Sequence, residues 1–216
     1  MIRSPAVRPQ VDLALMTVLL VSYMWLWQAS FPGNFFVCLA LYVGIGVWSH
    51  WRRKETAAEI GIRADNFGPS FLFGITLVGP LILVAIALGA ALGTIEPPQT
   101  AGVSGLALSL AWGCGWATMQ QYGLACVYYR RFKDLLGNHW AGTFGAAGVF
   151  ATLHLPNPFL VPVTFVGGVV ACQIYRRAPN LFVLGLLHFL LSFALRQSFG
   201  PGITHQMRVG PGYWNI

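Results

Sequence analysis

At 216 residues, 56% of them hydrophobic and only 9% charged, the chain carries far fewer charges than ordinary soluble domains, in which about a quarter of residues are charged. A mean hydropathy of +0.64 points the same way, and together they predict an all-α, polytopic transmembrane helix bundle forming one integral-membrane domain over residues 1–216. The net charge of +7 does not argue for nucleic acid as a partner, because the basic residues sit in short clusters between apolar runs, as topology signals do.

Seven apolar runs are expected to span the bilayer, at about 11–30, 34–50, 69–93, 104–129, 139–155, 158–176 and 181–197. The first is too long for the core of a secretory signal and is read as a span. The second and the fifth are short, which suggests tilted, broken or partly interfacial helices. Between the second and third runs, His50 to Asn66 carries Trp51-Arg-Arg-Lys54 and then Glu55, Glu59 and Asp65. This pattern fits an amphipathic connector lying on the membrane surface with its basic residues near anionic headgroups, or else a plain topology-setting loop. Glu96-Pro97-Pro98 marks a turn.

The fourth run holds Gln120-Gln121, the fifth Phe150-Ala-Thr-Leu-His154, and the seventh His188-Phe-Leu-Leu-Ser192. Glutamine and histidine are costly in hydrocarbon, so their recurrence on successive spans predicts a shared site. Adjacent helical residues point about 100° apart, so both glutamines can border one cavity. Phe150 and His154 share a helix face, as do His188 and Ser192. Pro156 and Pro158 end the fifth helix. Gly142, Gly145 and Gly148 recur at a spacing of three and place small residues along one side of that helix, for packing. In the Gly- and Pro-rich tail from Gly200 to Ile216, Tyr213 and Trp214 suit the outer interface.

With the N-terminus in the cytoplasm and seven spans threaded, Arg3, Arg8, Arg52, Arg53, Lys54, Arg63, Arg130, Arg131, Lys133, Arg176 and Arg177 fall inside. Only Arg196 and Arg208 fall outside. That bias predicts a protein of the cell (inner) membrane with a cytoplasmic N-terminus. Cys38, Cys114, Cys126 and Cys172 all lie in apolar runs without a CxxC pair, which predicts small buried hydrophobes and no disulfide framework.

The order and spacing of these motifs resemble the CAAX-protease and bacteriocin-processing family of intramembrane proteases, whose pattern is a Glu-Glu pair followed by an arginine, then Phe-x-x-x-His, then His-x-x-x-Asn or Asp. Phe150 to His154 and His188 onward match the second and third motifs. The stretch from Gly167-Gly168 through Tyr175-Arg176-Arg177 to Asn180-Leu-Phe, and Ala58-Glu59-Ile-Gly-Ile-Arg63 upstream, are also similar to the family, over roughly residues 55 to 197. Gln120 and Gln121 stand where the family has its glutamates, Ala125 where the arginine would be, and Ser192 where the last Asn or Asp would be. The resemblance implies a scheme in which the first glutamate activates water with help from the first histidine, while the second histidine and the Asn stabilise the oxyanion. Carried over, Gln120 holds the base position with Gln121 as its partner, His154 assists the water, and His188 faces the oxyanion with Ser192 a weaker donor beside it.

A glutamine amide can orient a water but cannot take its proton. His154 is therefore the candidate base, because Asp12, Glu55, Glu59, Asp65, Glu96 and Asp134 all fall in loops or at span ends. The expected function is an intramembrane peptidase acting, as the resemblance implies, on membrane-anchored peptides or protein termini in the lipid bilayer, with no cofactor and no metal. The alternative is a catalytically impaired relative that binds a membrane peptide or lipid as a chaperone or regulator. A haem or metal protein ranks third, since zinc would want a third protein ligand and none is obvious. A transporter ranks below that, because no repeated halves with interrupted helices are visible.

Overall fold

The computed structural model describes residues 8–97 and 102–214; Arg3 and Pro98, both used above, lie outside them. Among the described residues every regular element is helical. Helix α1 (Pro9–Ser22) runs on through a wider π turn to Trp27. α2 spans Asn34–Arg52, α3 Phe67–Leu92 and α4 Gly102–Gln121, and a π stretch, Tyr122–Tyr129, carries α4 without a break into α5 (Arg130–Leu136). Then come α6 (His139–Thr152), α7 (Leu160–Arg177) and α8 (Leu181–Ser198), with a short α9 (Pro201–Thr204) opening the tail. The chain is an all-α membrane bundle, and its helices follow the seven apolar runs. Pro9–Trp27, Asn34–Arg52, Phe67–Leu92 and Leu181–Ser198 are each long and apolar enough to cross a bilayer.

Local chemistry sets most of the boundaries. The Asn138 side chain accepts from the backbone N–H of Trp140 at 2.7 Å and of Ala141 at 3.2 Å, capping α6, and Asn180 caps α8 by accepting from Val183 at 3.1 Å. Gly137, at φ 68°, ends α5 in the left-handed region. Two expectations are corrected. The second run is a full helix of 19 residues. The fourth does not stop at 129: its helix continues to Leu136, so Arg130, Arg131 and Lys133 lie on a helix rather than in a loop. The glycine spacing on α6 is only partly used. Side chains added at Gly142 and Gly145 would strike Lys133 and Phe132 of α5, but Gly148 faces open space, because a spacing of three drifts around a helix with 3.6 residues per turn.

The connection from His50 to Asn66 is exposed along most of its length and tied down near its end. Ile60 and Gly61 are buried, the Gly61 carbonyl accepts from Leu181 N–H at 2.8 Å, and Asn180 Nδ2 reaches back to the Arg63 carbonyl at 2.9 Å. Arg52, Arg53 and Arg63 in this stretch pair with carboxylates. Asp12, wholly buried in the first turn of α1, pairs with Arg52 at 2.9 Å and Arg53 at 3.2 Å and accepts from Ser49 Oγ at 2.7 Å. Arg131, 0% exposed, donates to Glu55 at 2.6 Å and to Ser49 Oγ at 2.9 Å and lies 3.4 Å from Asp12. Unpaired charges could not be buried here, so the network closes on itself.

Burial by itself would push the Glu55 carboxyl up, but hydrogen bonds from His50, Arg131 and Arg130 hold it well below the usual carboxylate range. A carboxyl with a depressed folded pKa contributes stability that is full above its unfolded value, about 4.3, and is lost as pH falls through the folded value. Thermal unfolding followed from pH 7 down to pH 3 should therefore show a loss that begins near pH 4 in the native chain. Glu55→Gln should remove that part of the acid sensitivity. Parallel curves for the two chains would show that Glu55 carries none of it.

Candidate functional site

Helices α4 and α8 cross at unusually close range. A Cβ at Gly185 would meet Thr118 Oγ1 and come within 2.9 Å of the Thr118 Cα, so only glycine allows the crossing. Gln121 and His188 lie three residues after this pair, on the same faces of their helices, and Gln121 Nε2 lies 2.9 Å from His188 Nδ1.

Behind Gln121 the π stretch is packed on every side; all eight residues from Tyr122 to Tyr129 are buried. It is held against α2 by two reciprocal contacts. The Tyr42 phenol lies over Gly123 and the Tyr122 phenol over Gly46, each where a Cβ would collide with the ring. The Tyr42 hydroxyl also donates to the Met119 carbonyl at 2.7 Å. A π stretch widens the turn and shifts which carbonyls the helix itself can satisfy, and such stretches favour functional sites.

The fifth-run motif arrives from α6. The helix stops at Thr152, so His154 stands in the turn beyond it rather than on the helix. Its i+4 relation to Phe150 persists: the rings meet edge to face with centroids 4.8 Å apart, and Phe150 lies 6.1 Å from the His188 ring on its other side. His154 Nδ1 is 2.7 Å from the Phe150 carbonyl. A carbonyl only accepts, so Nδ1 carries the proton and Nε2 keeps the lone pair. In the Gln121–His188 pair the amide N–H donates to Nδ1, so the ring N–H of a neutral His188 sits on Nε2. The two histidines thus have opposite tautomers, one with a free acceptor and one with a free donor. The Gln121 Oε1 atom is buried without a partner; exchanging the amide atoms would leave the NH₂ in that place instead.

The structure thus brings together Gln121, Phe150, His154 and His188. Gln120 and Ser192 are half-buried neighbours of this group and make no side-chain hydrogen bond among the described residues. Ala125 is buried within the π stretch. The acidic side chains stand elsewhere. Asp12, Glu55 and Asp134 are in the arginine network, Glu59 is bonded to Thr56, Asp65 is paired with Arg63, and Glu96 is near Gly200. Sequence reasoning missed Thr118 and Gly185, although each lies three residues before a polar residue it had marked. It also missed Asn157, hidden between the two prolines.

Residues 103–194 match a family model described as type II CAAX prenyl endopeptidase Rce1-like. No curated protein and no solved structure matches the chain. The matched segment contains α4, the π stretch, α6 and the His188 portion of α8, and so all four residues that meet at the site. On that segment, somewhat under half of its length, the chain is similar to the CAAX-protease and bacteriocin-processing family.

Proposed function

We propose that the protein is an intramembrane peptidase that processes membrane-anchored peptides or protein termini at the Gln121–His154–His188 site. The observation that carries this reading is the meeting of Gln121, His154 and His188 around Phe150, with the amide of Gln121 placed so that its N–H faces His188 Nδ1. His154 Nε2, with Nδ1 tied to the Phe150 carbonyl at 2.7 Å, offers a lone pair that can take a proton from water. His188 Nε2 offers a hydrogen to an oxygen that gains charge during attack on a carbonyl. Gln121, whose second amide atom has no partner, orients the water or the scissile amide. Gln120 borders the same space, and Ser192, one turn beyond His188, is an additional donor. His154 is then the base, with the glutamines in the positions that the family gives to glutamates. The chain sits in the cell (inner) membrane with its N-terminus in the cytoplasm, a placement supported by the clustering of arginine and lysine.

The absence of any acidic side chain at the site favours a second reading, in which the cavity binds a membrane peptide or lipid without cutting it. Gln120→Glu and Gln121→Glu separate the two. A carboxylate restored beside His154 should raise hydrolysis of a membrane-anchored peptide by about 10²-fold or more if the cavity has protease geometry. Unchanged, undetectable hydrolysis in both variants, with peptide binding retained, would favour the binding reading.

A further inference from the structure

The segment after α8 plays no part in the site chemistry, yet it reaches the His154 turn. Gly210 N–H donates to the Leu155 carbonyl at 2.8 Å. Asn157, 0% exposed, does two separate things with one amide. Its Oδ1 accepts from the N–H of Phe159 and of Leu160, each at 3.0 Å, which starts α7. Its Nδ2 donates to the carbonyls of Thr204 and Arg208 in the tail, each at 3.0 Å.

The tail conformation that presents those two carbonyls is costly. His205, Gln206 and Met207 have φ of 49°, 55° and 58°. Three successive non-glycine residues in the left-handed region cost on the order of 1 kcal/mol or more each and persist only where the surroundings hold them. Here the turn is bracketed by the two bonds to Asn157, and the His205 ring packs against Tyr213, tilted by 41° with centroids 4.7 Å apart. The tail also lies on the far end of α1, where a Cβ at Gly210 would come 3.3 Å from the Met24 carbonyl. His154, by contrast, has left its helix. Its own backbone makes only the turn bonds to Ala151 at 2.9 Å and from Asn157 at 3.1 Å.

We infer that residues 200–214 form a strap that positions His154, with Asn157 as the positioning residue through which the strap grips the turn. This rests on the role given to His154 above. The strap sets the direction of the imidazole without touching substrate, and a misplacement of about 1 Å at a reacting group costs on the order of 10²-fold in rate.

Two variants test it in the full-length protein and its truncation. Asn157→Asp keeps the acceptor that starts α7 and removes the amide donor to the tail; a second chain ends after Gly200. Amide hydrogen exchange is read at Leu153, His154, Leu155 and Asn157, with α8 as the internal control, and peptide hydrolysis is measured alongside. Both variants should speed exchange in the turn about tenfold or more and leave α8 protected. They should lower kcat by about 10- to 100-fold with KM nearly unchanged. Exchange in the turn that stays slow in both variants overturns the strap. Exchange that quickens while kcat holds overturns its positioning role. A native chain that hydrolyses nothing sinks the peptidase reading alone, and the exchange comparison then decides the strap by itself.

Discussion

His188→Ala and His154→Ala should each reduce hydrolysis of a membrane-anchored peptide by about 10²- to 10⁴-fold while the protein still inserts. The two losses have different origins. Removing His188 takes away a fixed donor aimed at developing negative charge, which costs on the order of 10²- to 10³-fold, and it leaves the Gln121 amide with no partner at either atom. Removing His154 takes away the lone pair that accepts the water proton, typically worth about 10²- to 10⁴-fold. Because both groups act on one transition state, the double variant should be little worse than the poorer single one. The measurement is single-turnover cleavage in vesicles, with insertion checked by protease protection. Full activity in both single variants would place the chemistry elsewhere.

The second large effect concerns folding. Arg131→Ala should destabilise the protein by about 3 kcal/mol, because the wholly buried guanidinium that joins Asp12, Ser49 and Glu55 is lost and the space it filled is left empty, although Arg52, Arg53 and Arg130 still pair the carboxylates. For a chain of this size that corresponds to a fall in Tm of about 10 °C. Arg63→Ala makes the contrast. Arg63 and Asp65 form an ion pair near the surface, and exposed pairs contribute at most about 1 kcal/mol. Equal shifts for the two variants would show that the buried network does not hold the helices together. Since α1 meets the network through Asp12 alone, Asp12→Asn should loosen α1 while α6, α7 and α8 keep their mutual packing.

Much of this was legible in the sequence because its signals are local. Apolar run length gave the helices, and Pro156 and Pro158 marked the end of α6. The i+4 spacings of Phe150–His154 and of His188–Ser192 were readable without coordinates. The contacts that make the site were not, because they depend on which helices cross and how closely. Nothing in the fourth run says that Gln121, rather than Gln120, meets His188; the register of the Thr118–Gly185 crossing decides that. The ion pairs of the connection from His50 to Asn66 were hidden for a related reason. Charge clusters look alike whether they face headgroups or a buried Asp12 some 40 residues away, and only the fold brings that partner into reach. Asn157 was invisible because a buried asparagine between two prolines looks like an ordinary turn residue until the tail is seen to bond it.

The unbroken run from Gly102 through the π stretch to Leu136 has one more consequence. At about 1.5 Å per residue it is a rod of about 50 Å, well beyond the roughly 30 Å of a hydrocarbon core. One end of that rod is clamped by the carboxylates around Arg131, and Gln121 stands ten residues away, about 15 Å along the same axis. The rod is therefore a ruler. The ion network fixes its zero mark, and the depth of Gln121 and its partner His188 is measured from there rather than from the lipid.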